Sequence, residues 1–305
     1  MSQNYYYQIK TALINNEAYK RVKDYSKNRS DLATYYNVGK ILIIAQGGEK
    51  RAKYGDELIK NYSVRLTEEL GEGYSVRNLK NMRSFYLFIQ KGHAVRAELP
   101  WVHYRELLSI KDFDKTEYYI DEAVKNCWSY RELHQHIKSR DYERLSLTAK
   151  KKLAAGNTPA LQDIVKDPII IKSNYTDSSD VIFSEKVLKQ LILEDLPHFL
   201  KELGEGFTFI DQEYKIRTDN NYNYIDLLLF NYKYNCFVVI ELKVTELRAE
   251  HIGQIKKYMN YIDSNLKTIT QDKTIGIIIT KKNNKFVIEY CSDPRVKMVE
   301  WRLIF

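Results

Sequence analysis

The sequence predicts an α+β protein with an all-helical N-terminal domain and a C-terminal α/β domain built on a mixed sheet. In the first 145 residues, apolar side chains recur at helical spacing with little period-two alternation. After residue 206, short runs rich in β-branched residues are separated by a helical segment. A length of 305 residues also favours two domains. We expect them at 1–145 and 183–305, joined by a polar, turn-rich linker at 146–182.

The N-terminal domain is divided into helices by glycines and capping residues. Apolar stripes with such boundaries predict helices at 31–46, 56–70, 76–89 and 130–140. A four-residue glycine turn at 71–74 and a capping serine, Ser75, join the second of these helices to the third. A helix, a short glycine turn and a second helix together form the outline of a helix-turn-helix.

The C-terminal domain begins with a predicted helix at 184–203, which two glycines end. Six β-rich runs follow, at 207–216, 224–230, 236–244, 275–280, 286–290 and 297–304. A helix at 247–263 separates the third run from the fourth. This order of elements predicts a sheet flanked by helices.

Net charge and cysteine content restrict the partner and the compartment. The chain carries a formal charge of +8, and residues 1–100 hold 17 basic and 10 acidic side chains. This local excess favours a polyanion, although a solvated lysine-rich face would show the same counts. Three distant cysteines suggest neither a disulfide framework nor a zinc site. Without an apolar leader or a membrane-length apolar run, we expect a soluble, cytoplasmic protein and no membrane partner.

Charged residues interrupt two neighbouring apolar runs of the C-terminal domain. Asp226 lies within one run, and Glu241 and Lys243 lie near the end of the next. A charge in a buried strand is costly unless it is paired or binds a metal. If the strands are neighbours, Asp226 meets Glu241, and two adjacent carboxylates suit Mg²⁺. Lys243 would then position or deprotonate the attacking water, which suits metal-assisted phosphodiester hydrolysis. A surface Glu-Lys pair is the alternative.

The spacing of these residues resembles the PD-(D/E)XK nuclease motif, and longer blocks of the chain resemble the YhcG-like bacterial nuclease family. Blocks at 199–209, 224–230, 239–244, 253–258 and 288–290 resemble its nuclease domain, and blocks at 73–86, 99–108 and 128–133 resemble its helical N-terminal domain of unknown function.

The resemblance implies a restriction-endonuclease-like fold with a four-stranded mixed core sheet and a nucleic acid substrate. Asp226 and Glu241 match the carboxylates that bind Mg²⁺, or Mn²⁺ in its place. Lys243 matches the catalytic lysine, and Gln254 matches an auxiliary glutamine. The residue before Asp226 is Ile225, where the motif has proline.

Three further residues are candidates for auxiliary roles. Glu213 precedes Asp226 by one strand and could reach a metal through water, or it could be a surface residue. Glu185 is the nearest match to the glutamate that many relatives add from a first core helix, although it also suits the helix dipole. Gln254 and Tyr258 lie one helical turn apart, so both could serve the site from one side of a helix. The alternative to this auxiliary role is packing of the two side chains against the sheet.

The helix that follows the glycine turn is polar and basic on one side. Its Arg77, Asn78, Lys80 and Arg83 are suited to base edges and phosphates in a major groove, and Arg65 on the preceding helix could contact phosphate. A solvated face or a dimer contact would present the same residues.

The leading hypothesis is a Mg²⁺-dependent DNA endonuclease that its helical domain delivers to DNA. By analogy with the family, its setting would be defence, restriction or recombination. One alternative is a catalytically silent DNA-binding scaffold or complex subunit. The other is a nuclease that acts on RNA or branched DNA. Cutting both strands of a duplex would need two active sites, which a homodimer would supply.

Overall fold

The computed structural model of the chain describes residues 2–20, 26–48, 56–93, 95–173, 184–218 and 221–304. The chain divides into two compact units, Met1–Tyr142 and Glu143–Phe305. The first unit ends three residues before the predicted boundary at 145.

The described part of the first unit contains helices and no strands, as the sequence predicts. Its helices are α1 (Ser2–Lys20), α2 (Ser26–Ala45), α3 (Asp56–Leu70), α4 (Val76–Gln90), α5 (Trp101–Leu107), α6 (Phe113–Lys125) and α7 (Tyr130–Lys138). Ser75 caps α4 by accepting a hydrogen bond from the backbone N–H of Asn78.

One apolar cluster holds the first unit together. Its largest fully buried side chains include Tyr6 of α1, Phe85 of α4 and Tyr104 of α5. Gly39 allows α2 to pack closely on α4, because a Cβ atom there would lie 2.1 Å from the carbonyl oxygen of Met82. The first unit therefore has a core of its own.

The second unit has both helices and strands. The helix α8 (Asp141–Arg144) lies at the boundary of the two units. The elements that follow are α9 (Leu147–Ala154), α10 (Leu161–Ile164), β1 (Ile169–Lys172), α11 (Glu185–Glu194), α12 (Leu196–Leu203), β2 (Phe207–Thr218), β3 (Asn221–Asn231), β4 (Cys236–Leu242), α13 (Ala249–Asn265), β5 (Ile275–Thr280), α14 (Lys285–Cys291) and β6 (Val296–Ile304).

The strands form one mixed sheet in the order β1-β6-β5-β4-β3-β2. The strands β1, β6, β5 and β4 run parallel to one another, whereas β3 pairs antiparallel with both β4 and β2. Apolar side chains cover both faces of the sheet. Helices α11 and α12 pack in one cluster, and α13 packs in the other. The predicted α+β class with a mixed C-terminal sheet is confirmed.

Four expectations for the second unit need correction. Much of the predicted linker at 146–182 belongs to the fold, because β1 extends the sheet beside β6 and its Ile169 and Ile171 are buried. With β1 and β6 included, the sheet has six strands rather than the four that the resemblance implies. Residues 174–182 of that linker lie outside the described residues.

The other corrections concern helices. Residues 286–290 belong to the helix α14 and not to a strand, because Asn284 caps this helix at Val287. The predicted helix at 184–203 is two helices, since Asp195 ends α11 and caps α12 at His198.

None of the helices in the described parts of the chain combines the length and the apolar character that crossing a bilayer requires.

Candidate active site

The pairing of β3 with β4 brings the two predicted carboxylates together. The last pair in their register joins Leu227 to Ile240, so the next positions along the two strands are Asp226 and Glu241. Lys243 follows two residues later, and its Nζ lies 3.3 Å from Oε2 of Glu241. The three residues therefore form one charged group at the end of β4.

Glu241 is the most deeply buried member of this group. Its side chain is 2% exposed, and its Oε1 has no hydrogen-bond partner among the residues that the structure describes. Burial, and then the negative charge of Asp226, raises the pKa of Glu241 to about 8, although Lys243 opposes the shift. A buried carboxylate oxygen without a partner is unusual, and it indicates a position prepared for a cation or a donor.

Asp226 is fixed by a hydrogen bond on each of its oxygens. Its Oδ2 accepts a hydrogen bond of 2.9 Å from the backbone N–H of Leu242, and its Oδ1 accepts one of 3.1 Å from Nζ of Lys189. Lys189 also donates to Oε1 of Glu213, at 2.9 Å. Burial alone would lower the pKa of Lys189, but these two carboxylates outweigh burial and raise it.

Lys189 was not predicted from the sequence. It lies on α11 one helical turn after Glu185, so both side chains lie on the side of α11 that faces the charged group. This four-residue spacing was the signal available for finding it.

Lys243 is held by its side chain and by its backbone. Its Nζ lies 3.5 Å from Oε2 of Glu185, in addition to its contact with Glu241. Burial would lower the pKa of Lys243, but the charges of Glu241 and Glu185 raise it, so the ammonium form is favoured. The backbone carbonyl accepts a hydrogen bond from Nε1 of Trp301 at 3.1 Å. The structure thus brings Glu185 to the charged group and links Glu213 to it through Lys189.

Helix α13 places Gln254 and Tyr258 near the same carboxylates. Nε2 of Gln254 donates to the hydroxyl of Tyr258 at 3.0 Å. Burial raises the pKa of Tyr258, and the charges of Glu241 and Asp226 add to the shift. The charges of the two carboxylates therefore act on the buried tyrosine, whose hydroxyl accepts the hydrogen bond from Gln254.

Two segments of the chain match known protein families. Residues 162–300 match the YhcG PDDEXK nuclease domain, and residues 8–144 match the DUF1016 N-terminal domain. The chain thus carries in succession a segment similar to the DUF1016 N-terminal domain and a segment similar to the YhcG PDDEXK nuclease domain. The resemblance that the sequence suggests is confirmed, and the nuclease domain begins within the predicted linker.

The chain is also similar to individual proteins. The chain is 29% identical over 293 residues to "Putative nuclease YhcG" of Escherichia coli (strain K12), a match that covers 83% of this chain and 77% of the relative. Among solved structures, a repair endonuclease from Pyrococcus abyssi is similar at 22% identity with a TM-score of 0.28, covering 42% of this chain and 49% of the other. An EndoMS complex with double-stranded DNA is similar at 21% identity and a TM-score of 0.29, covering 43% and 48%. The chain thus spans about half the length of these solved structures.

The nuclease domain offers oxygen ligands to a metal ion. PDDEXK nucleases generally use divalent metals. Within the described ranges, no cluster of three or more His, Cys, Asp or Glu side chains forms a metal site. Asp226 and Glu241 nevertheless fit a hard cation, because both supply carboxylate oxygens and Oε1 of Glu241 is buried without a partner.

The candidate DNA-contacting residues of the DUF1016 domain differ in their surroundings. Both ends of the Asn78 amide are engaged inside the unit, because Nδ2 donates to the carbonyl of Gly73 and Oδ1 accepts from Nε1 of Trp101. The guanidinium of Arg65 lies 3.6 Å from the centroid of the Tyr6 ring.

The remaining candidates lie on α4. Nη1 of Arg83 donates to Oε1 of Gln46 at 3.4 Å. Arg77 is exposed, and Lys80 is half-buried. Arg77 is therefore the most accessible of the residues that the sequence proposes for DNA contact.

Proposed function

We propose that this protein is a metal-dependent endonuclease that hydrolyses phosphodiester bonds of DNA, with its active site where the pairing of β3 with β4 ends. The observation that supports this most strongly is the pairing of Asp226 with a buried Glu241 whose Oε1 lacks a partner within the described residues, and whose Oε2 lies 3.3 Å from Nζ of Lys243. Such an arrangement is unfavourable for folding and is typical of a functional site.

Asp226 and Glu241 would hold Mg²⁺, or Mn²⁺ in its place. When bound, this ion supplies Lewis-acid polarisation of the scissile phosphate and activation of water. Lys243 offers an ammonium group that can orient the nucleophilic water and offset the charge that develops on the phosphate. Glu185 holds that ammonium group from α11, at 3.5 Å. Gln254 supports the geometry through its hydrogen bond to Tyr258.

The DUF1016 domain would supply affinity for DNA. Residues 1–100 hold the excess of positive charge, and Arg77 is exposed on α4 after the glycine turn. Neutralising phosphates releases counterions, so this contribution would weaken as the salt concentration rises. Asn78 would act indirectly, by fixing the start of α4.

A substrate panel tests the proposal. Purified protein with Mg²⁺, Mn²⁺ or EDTA is incubated with linear, nicked, branched and single-stranded DNA and with RNA. We expect DNA cleavage that EDTA and the variants Asp226→Asn and Lys243→Met abolish. The matched control is Glu250→Gln, because Glu250 is an exposed glutamate at the start of α13.

Each alternative has its own result in this panel. Equal cleavage by Asp226→Asn and the wild type would contradict the assignment of the site. Salt-dependent binding without cleavage under any metal condition would favour the catalytically silent scaffold. Cleavage of RNA alone would change the substrate while keeping the chemistry.

A further inference from the structure

The hairpin of β2 and β3 extends beyond the rest of the sheet, next to the active site. β3 pairs with β4 only over Leu227–Asn231, whereas its pairing with β2 continues to the pair Thr218 and Asn221. Beyond Asp226, the two strands therefore form a two-stranded ribbon, at residues 214–218 and 221–225.

The two faces of this ribbon differ in character. Ile216 and Ile225 are fully buried and pack in the same apolar cluster as α13. The opposite face, here called the ribbon face, carries two basic and two aromatic side chains: Lys215, Arg217, Tyr222 and Tyr224. All four are exposed, and the two tyrosines are 58% and 53% exposed.

Cross-strand register keeps the members of the ribbon face together. Lys215 pairs with Tyr224, and Arg217 pairs with Tyr222. Nζ of Lys215 also lies 3.8 Å from the centroid of the Tyr222 ring. A row of two cations on β2 therefore lies beside a row of two aromatic rings on β3.

The ribbon face begins next to the active site, because Tyr224 lies two residues before Asp226 on β3. Lys189 bridges Asp226 and Glu213 across the two strands, which places these carboxylates side by side at the base of the ribbon. Tyr224 and Tyr222 then lie about 7 Å and 13 Å along the strand from Asp226.

A nucleic acid strand matches this sequence of groups. Lysine and arginine neutralise phosphates, and exposed aromatic rings stack on bases that no partner strand covers. In a duplex the faces of the bases are already covered by neighbouring bases, so stacking on these tyrosines would add little binding free energy. We propose that the ribbon face binds an unpaired nucleic acid strand beside the scissile phosphate. This inference rests on the proposed nuclease function and narrows its substrate to single strands or unpaired segments.

Fluorescence anisotropy in EDTA tests binding without cleavage. The probes are a labelled single-stranded DNA, an RNA of the same sequence and the blunt DNA duplex. We expect Tyr222→Thr/Tyr224→Thr to weaken single-strand binding by about tenfold or more and duplex binding by less than about twofold. The Phe double variant keeps both rings and should bind like the wild type. Tyr232→Thr is the matched control, because Tyr232 is 64% exposed directly after the other end of β3.

Photo-crosslinking locates the strand on the chain. An oligonucleotide with 5-iodouracil is irradiated with the full-length protein, and the crosslinked peptides are identified by mass spectrometry. We expect adducts on Tyr222 or Tyr224. Unchanged single-strand affinity in the Thr variant, an equal loss for duplex, or adducts only at Tyr232 or in the first unit would overturn the proposal. Adducts on the ribbon face in a protein that cleaves no substrate would support this surface and contradict the nuclease function.

Discussion

Replacing Glu241 with glutamine should stabilise the metal-free protein while removing its activity. In the folded chain, burial and the charge of Asp226 raise the pKa of Glu241 from 4.5 to about 8. Folding therefore disfavours the ionised form, and the stability contribution of Glu241 is fully present below the unfolded pKa. It is lost progressively as the pH rises toward the folded pKa. Glutamine has a similar shape and carries no charge, so it avoids this loss.

The magnitude follows from the size of the pKa shift. Each pH unit between the two pKa values costs about 1.4 kcal/mol. The Gln variant should thus exceed the wild type in free energy of unfolding by about 3 kcal/mol at neutral pH, and by only about 1 kcal/mol near pH 5. The difference should level off above about pH 8, where the carboxyl is ionised in both states.

Urea unfolding of the full chain in EDTA measures this difference. The relevant transition is that of the second unit, which contains Trp301 as a fluorescent reporter. Glu250→Gln, at a side chain that is 69% exposed, should change stability by less than about 0.5 kcal/mol. A Glu241→Gln variant that is no more stable than the wild type near neutral pH, or a difference that does not change with pH, would refute the reasoning.

Four further perturbations have expected outcomes. Glu202→Gln removes the carboxylate that pairs with the buried Arg144, and it should cost about 3 kcal/mol at neutral pH in urea unfolding. Burial would raise the pKa of Glu202, but the hydrogen bond from Arg144 and the charges of Lys166 and Arg144 together outweigh burial and lower the pKa below 4.5. The cost should therefore shrink as the pH falls through that range, and a constant cost would contradict this. Lys189→Met removes a cation 3.1 Å from Asp226 and should tighten Mn²⁺ binding in calorimetry by about tenfold, whereas unchanged or weaker binding would count against it. Asn78→Ala should lower the stability of the first unit by about 2 kcal/mol. Arg77→Ala should instead keep the fold. In salt titrations, it should reduce the slope of log affinity for DNA against log salt concentration by about one, which corresponds to one phosphate contact.

The periodicity of apolar residues predicted most of the elements that form the site. Asp226 and Glu241 interrupt the apolar runs that become β3 and β4, and Lys243 directly follows β4, so the three residues could be proposed for the site without coordinates. Their roles remain predictions. Lys189 could not be identified with equal ease, because its importance depends on the distance between α11 and β3 and not on its neighbours in sequence.

The errors in the fold have local physical causes. Phe286, Ile288 and Tyr290 alternate like strand residues, yet in α14 the rings of Phe286 and Tyr290 lie one turn apart on the exposed side, with centroids 4.8 Å apart. The break between α11 and α12 was signalled by Asp195 followed by Pro197, which suits the first turn of a helix.

The predicted linker had the polar composition of a connection. Its apolar Ile169–Ile171 segment is short, and it becomes a strand only because β6 offers a parallel edge. Composition cannot reveal such a pairing partner, since the partner lies far away in the sequence.

The central claim is that the carboxylate pair at the point where the pairing of β3 with β4 ends catalyses phosphodiester hydrolysis. Its most direct test compares the cleavage of circular single-stranded DNA by the wild type and by Glu241→Gln, both with Mg²⁺ and at equal protein concentration. The account predicts linear product with the wild type and none with the variant. Because the variant should be the more stable protein, unfolding cannot explain such a loss. Equal cleavage by the two proteins would contradict the account.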